Sequence, residues 1–78
     1  MTKTPKLDLH RVRHVDVKQT LIEFIEEWWD AEVEVEIITG NSPIMKTIVG
    51  TVLDEYMVEY TVGRPFDVSN TGYITCTI

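Results

Sequence analysis

Glu32-Val33-Glu34-Val35-Glu36-Ile37 alternates a carboxylate with a β-branched apolar residue for six positions without a break. Side chains alternate across a strand, so this segment presents valine, valine and isoleucine on one face and three glutamates on the other. Three carboxylates cannot be buried unpaired. The glutamate face is therefore open to water or to a partner. A sheet covered by helices on one side meets that condition, and a three-layer sandwich does not.

On the N-terminal side, Lys6 to His10 reads as a short strand, with Leu7 and Leu9 on one face and Asp8 and His10 on the other. The period then changes. Asp16-Val17-Lys18-Gln19 has capping-box spacing, and Val17, Leu21, Phe24, Ile25 and Trp28 form an apolar stripe that predicts a helix from about Val17 to Trp29. On the C-terminal side, Ser42-Pro43 predicts an N-cap followed by proline at the first helical position, where a missing N–H costs nothing. Ile44, Ile48 and Val52, flanked by Met45 and Val49, mark the inner face of a second helix ending near Glu55. Gly50 weakens that helix by about 1 kcal/mol relative to alanine. Met57 to Val62 reads as a third strand, Gly63-Arg64-Pro65 as its break, Ser69-Asn70-Thr71-Gly72 as a turn and Tyr73 to Ile78 as a last strand.

The order is βαβαββ. Right-handed crossovers place both helices on one face, so the predicted fold is a two-layer α/β (α+β) sandwich, a four-stranded mixed sheet with two helices packed on one face. The last two strands, joined without a helix, run antiparallel. Residues 1–5 read as a flexible N-terminal arm and 6–78 as a single domain.

With 78 residues and 44% hydrophobic content, composition suits one small globular domain with a thin stability margin. The lone Cys76 forms no internal disulfide and sits on an alternating strand as a small buried apolar group, which fits a reducing, cytoplasmic setting. No apolar run is long enough to span a bilayer, so no membrane association is expected. Net charge is −6, unevenly spread. Residues 1–18 carry five bases and two acids, and residues 19–78 carry two bases and eleven acids. That split fits a local anion-binding patch on an acidic body, and equally a solvated basic arm. The acidic total argues against strong non-specific nucleic-acid binding.

Lys6-Leu7-Asp8-Leu9-His10 resembles the opening Leu-Asp-Leu-His motif of Smr (small MutS-related) domains. Ile37-Ile38-Thr39-Gly40-Asn41-Ser42, with Met45, Lys46 and Val49 beyond it, is similar to the family's Ile-Ile-His-Gly-x-Gly segment and the helix that follows. Gly72 to Ile78 resembles its glycine-led final strand. The resemblance implies a fold similar to the C-terminal domain of translation initiation factor 3 and endonuclease (nicking) activity on DNA or RNA, with Asp8 and His10 as the catalytic pair. The chain departs from the pattern at three positions. Thr39 stands at the second histidine, Ser42 at a glycine, and Arg11 at the glycine after the first motif.

Both parallel strands end, and both helices begin, at one edge of the sheet, a natural phosphate site. That edge collects His10, Arg11, Arg13, Gly40, Asn41 and Ser42, and the resemblance adds Lys46. Asp8 could orient the imidazole of His10, which could transfer a proton near neutral pH. The competing reading of His10 is a surface histidine paired with one of the strand glutamates. His14 reads as solvated, and Trp28 and Trp29 as core or edge residues rather than base-stacking platforms. No zinc-ligand spacing or nucleotide loop is present, so neither a cofactor nor a metal is expected. Two functions remain open: an Smr-like protein that binds DNA or RNA phosphate weakly and salt-sensitively at the strand–helix edge, with endonuclease activity; and a non-catalytic adaptor for a protein partner that keeps the fold without the chemistry.

Overall fold

The computed structural model describes residues 4–63 and 72–78. Its elements are β1 (Lys6–Asp8), α1 (His14–Trp28), β2 (Glu34–Ile38), α2 (Pro43–Glu55), β3 (Tyr60–Val62) and β4 (Tyr73–Thr77). The strands form one mixed sheet in the order β1-β2-β4-β3. β1 is parallel to β2, and β4 is antiparallel to both β2 and β3. The last strand thus enters the middle of the sheet. Burial accounts for its place: Tyr73 to Cys76 are all buried, whereas every residue of β3 is exposed. A strand covered on both faces belongs inside a sheet.

The register assigns the faces. Ile37 lies opposite both Leu7 and Ile74, and Val35 opposite Cys76. These residues pack into one core with Val17, Leu21 and Ile25 of α1 and Val49, Val52 and Leu53 of α2. By the same register Lys6, Asp8, Glu34, Glu36, Thr75 and Thr77 belong to the opposite face. The result is the expected α+β sandwich with both helices on one side of a four-stranded sheet. No helix among the described residues is long and apolar enough to cross a membrane.

Several boundaries shift for local reasons. α1 begins at His14, with Arg13 as its N-cap and no side-chain cap, so Asp16 does not open a capping box. The Val12 N–H donates to the Leu9 carbonyl (3.0 Å) and the Asp16 N–H to the Arg13 carbonyl (2.8 Å). The chain is already coiling before Asp16 is reached. β2 begins at Glu34, because Glu32 holds a left-handed φ of 56° that no strand accommodates. Ser42 caps α2 as expected, its Oγ accepting from the Met45 N–H at 3.2 Å, with Pro43 first in the helix. The inner face of α2 is rotated: Met45, Val49, Gly50, Val52 and Leu53 are buried, while Ile44 is 60% exposed. The expected stripe centred on Ile44, Ile48 and Val52 is thus corrected, because apolar residues occur on both sides of this helix and its period does not rank them. Gly50 resolves the facing. A Cβ there would stand 2.5 Å from the Tyr60 hydroxyl oxygen, so the bare backbone leaves room for the β3 tyrosine.

The C-terminus of α2 is a Schellman motif. The Val58 N–H donates to the Leu53 carbonyl (2.9 Å) and the Met57 N–H to the Asp54 carbonyl (3.0 Å). Met57 occupies the left-handed position, with φ 57°, where glycine is the usual residue. Its side chain is 93% exposed. Met57→Gly is therefore expected to raise unfolding free energy by about 0.5–1 kcal/mol, as relief of backbone strain outweighs the added freedom of the unfolded chain. A urea titration would measure it, and a lower midpoint in the variant would contradict it.

The expected break at Arg64-Pro65, the turn at Ser69-Asn70-Thr71 and the first residues of the N-terminal arm lie outside the described residues. Within the arm, the Pro5 carbonyl accepts the Glu36 N–H at 2.9 Å, extending the β1–β2 pairing by one bond.

Candidate nucleic-acid interface

The parallel pairing of β1 and β2 brings their C-terminal ends side by side. The Leu9 N–H donates to the Ile38 carbonyl at 2.8 Å, just beyond the last paired residues. α1 and α2 both start within a few residues of that bond. Their first turns therefore leave from one rim.

Asp8 and His10 meet at this rim. The Asp8 Oδ1 accepts the His10 backbone N–H at 3.0 Å and contacts His10 Nδ1. The two residues form a local turn, in which an Asp side chain bonds the backbone two residues on. This ends β1 at Asp8, and His10 lies past the strand rather than on it. The histidine thus pairs with its near neighbour and not with a strand glutamate. Because a carboxylate only accepts, Nδ1 carries the shared hydrogen and Nε2 is the ring atom left to take or give a proton. The side-chain bond from His10, then its backbone N–H, hold the Asp8 carboxyl below its ordinary 3.8, and Arg11 adds a smaller pull. A group depressed in this way favours the fold above its unfolded pKa, and that contribution is lost as pH falls through the folded value. In an NMR titration the Asp8 carboxyl should titrate below 3.8. In His10→Ala it should move upward but not all the way, because the backbone bond remains. An Asp8 titration unmoved by that substitution would contradict the pairing.

Arg11 and Arg13 are exposed at the rim, and Arg13 caps α1 through its backbone alone. Lys6 contributes nothing here. Its Nζ lies 3.7 Å from the half-buried Glu36 carboxylate on the sheet face, at the start of β1. Lys46 lines a hollow between α2 and β3 with Gly50, Asp54, Tyr60 and Val62. Among the described residues the cations placed at the rim are thus the two arginines, fewer than the count over residues 1–18 suggests.

The second strand end is more closed than its glycine implied. Gly40 has φ 67°, and a Cβ there would lie 3.9 Å from the His10 Cβ, so it stands directly beside the histidine. Its N–H, however, donates to the Gly72 carbonyl at 2.9 Å, as does that of Thr39 at 3.0 Å. Neither amide is available to a ligand. Thr39 is only 2% exposed, and its hydroxyl donates to the Gly40 carbonyl (2.8 Å), with the Gly72 carbonyl at 3.3 Å. In α2, Pro43 has no N–H and Ser42 takes that of Met45. Asn41 lies in the exposed turn between Gly40 and Ser42. The more open helix start is therefore that of α1, where His14 is the first helical residue and no side chain caps the amides. His14 precedes the helix start that the sequence predicts at about Val17, and its place in α1 follows from the early start of that helix.

Among the described residues no group of three or more His, Cys, Asp or Glu side chains could hold a metal ion, so no third ligand joins Asp8 and His10. Cys76 is buried, as its place on an alternating strand implied, and burial pushes its thiol up to about 11, with Glu34 adding to the rise.

Fold and rim together define a two-layer α+β domain with an aspartate–histidine pair set beside an arginine-flanked helix start. Comparison of the chain with family models, curated proteins and solved structures gave no match.

Proposed function

We propose that this domain is an Smr-like, nucleic-acid-associated protein that holds DNA or RNA phosphate at the rim where β1 and β2 hand over to the helices. The observation that carries the reading is the start of α1, whose amides have no side-chain cap and which Arg11 and Arg13 flank in the open. Asp16 in the first turn already answers part of the helix dipole, which together with the acidic total favours weak, salt-sensitive binding. In this reading Arg11, Arg13 and the amides of His14 and Val15 position a phosphate, and His10, oriented by Asp8, supplies a group able to move a proton during phosphodiester cleavage.

Binding is better supported than catalysis. The position where the resemblance implies a second histidine is the buried Thr39, whose hydroxyl is engaged with backbone carbonyls. That observation favours the second reading, an adaptor that keeps the fold without the chemistry. Exchanging Arg11 and Arg13 for alanine should weaken binding to a short duplex about tenfold and flatten the dependence of log K on log salt by about two. Equal affinity and slope in the variant would remove the rim from consideration. Nicking of plasmid DNA or structured RNA by the wild type, lost in His10→Ala, would decide for the enzyme. Retention of a protein partner with no salt-dependent binding of nucleic acid would decide for the adaptor.

A further inference from the structure

α1 and α2 start at the rim, so they end together at the opposite pole of the domain. That pole carries exposed apolar surface, although Tyr56 also packs against the core. Trp29, just past α1, is 52% exposed and meets the ring of Tyr56 edge-on, with centroids 5.6 Å apart. Beside them stands Met57, almost wholly in solvent and on a left-handed backbone that suits glycine. A side chain that costs the fold conformational energy and covers nothing points to a role outside the fold.

Two adjoining hollows of about 250 and 500 Å³ lie at this pole. They share Met57, Val58 and Glu59, so they open beside one another as one groove. Asp30, Asp54 and Glu59 line it with no lysine or arginine among the described residues, and Lys46 lies in the neighbouring hollow, which shares Asp54 and Tyr60 with it. Its floor holds the residue types enriched at protein interfaces, tryptophan, tyrosine and methionine. An apolar patch rimmed by charge marks an interaction surface, and the sign of the rim selects the partner. Nucleic acid and anionic lipid are repelled. A cationic polypeptide is attracted, and the apolar floor gives its hydrophobic side chains a seat.

We infer that this pole docks a cationic, amphipathic segment of another protein, with Met57, Trp29 and Tyr56 receiving its apolar residues and Glu59, Asp30 and Asp54 its lysines or arginines. The assignment goes beyond the rim reading and stands without it. It makes the domain bipolar, with a basic edge at one end and a groove for a basic polypeptide at the other.

The test is titration of the whole chain with a short capped peptide of lysine and leucine in amphipathic order, and with its leucine-to-serine counterpart, followed by tryptophan fluorescence. The lysine–leucine peptide should bind in a salt-sensitive way, and its serine counterpart about tenfold more weakly. Affinity should fall about tenfold in Glu59→Lys and in Met57→Gly, and stay unchanged in Val15→Ser, which removes another exposed apolar residue from the other pole. Met57→Gly suits the backbone geometry at that position, so its loss of affinity cannot be put down to misfolding. Equal binding of the two peptides, or an unaffected Met57→Gly, would overturn the inference. So would concentration-dependent self-association lost in the same two variants, which would make a second copy of the chain the occupant.

Discussion

Leu53→Ala should lower the unfolding free energy by about 3–4 kcal/mol, against a total of about 4–12 kcal/mol for a domain of this length. Leu53 is completely buried in the core shared by both helices and the sheet. Its carbonyl also accepts the Val58 N–H that closes the Schellman turn, and Val58 packs into the same core. Truncation leaves a cavity and removes the apolar contact that accompanies that turn, in a domain too small to redistribute the loss. Thermal and urea denaturation of the variant would measure the effect. A loss below about 1 kcal/mol would mean that the core collapses around the gap, or that the helix end is looser than its bonds indicate.

Thr39→His, which restores the histidine that the Smr resemblance implies, should destabilise the domain by about 2–3 kcal/mol and confer no nicking activity. Thr39 follows Val35 and Ile37 on the helix-facing parity of β2 and is as buried as they are. An imidazole would have to enter a filled site, and the hydroxyl bond to the Gly40 carbonyl would be lost. Thr39→Val, which keeps the volume and removes only the hydroxyl, should cost about 1 kcal/mol and so separates the two contributions. A Thr39→His variant as stable as wild type and active on plasmid DNA would show that the site is an intact nuclease lacking one group.

The acid–apolar alternation that ends at Ile37 made the sheet, its helix-covered face and the two-layer build legible, because a period of two puts all three carboxylates on the other face. The Ser42-Pro43 start of α2 was legible for a similar reason, since each residue has one strongly preferred place in a helix. The facing of α2 was not, because two overlapping apolar stripes satisfy the helical period and only the contact between Gly50 and Tyr60 separates them. The capping box at Asp16 misled through its spacing, as the turn from Leu9 to Val12 starts the helix before Asp16 arrives. The insertion of β4 between β2 and β3 left its trace in the unbroken apolar and threonine run from Tyr73 to Cys76, a pattern that suits a central strand.

At the candidate site, the pairing of Asp8 with His10 could be anticipated from their spacing. Their joint position beside Gly40 could be anticipated from the parallel crossover. The closure of the Gly40 side could not. It depends on the Gly72 carbonyl, thirty-three residues from Thr39 in sequence, which takes both amides that a phosphate would need. The positive charge gathered near the N-terminus was likewise divided by the fold, with Lys6 placed on the sheet against Glu36 and the two arginines left at the rim.

The most direct test is to titrate the isotope-labelled chain with a short DNA duplex and a structured RNA at low salt and follow each backbone amide by NMR. Shifts centred on Arg11 through Val15, extending to His10 and fading as salt is raised, are the expected result. Shifts confined to the Met57–Glu59 end, or none at any residue, would contradict a phosphate site at the start of α1.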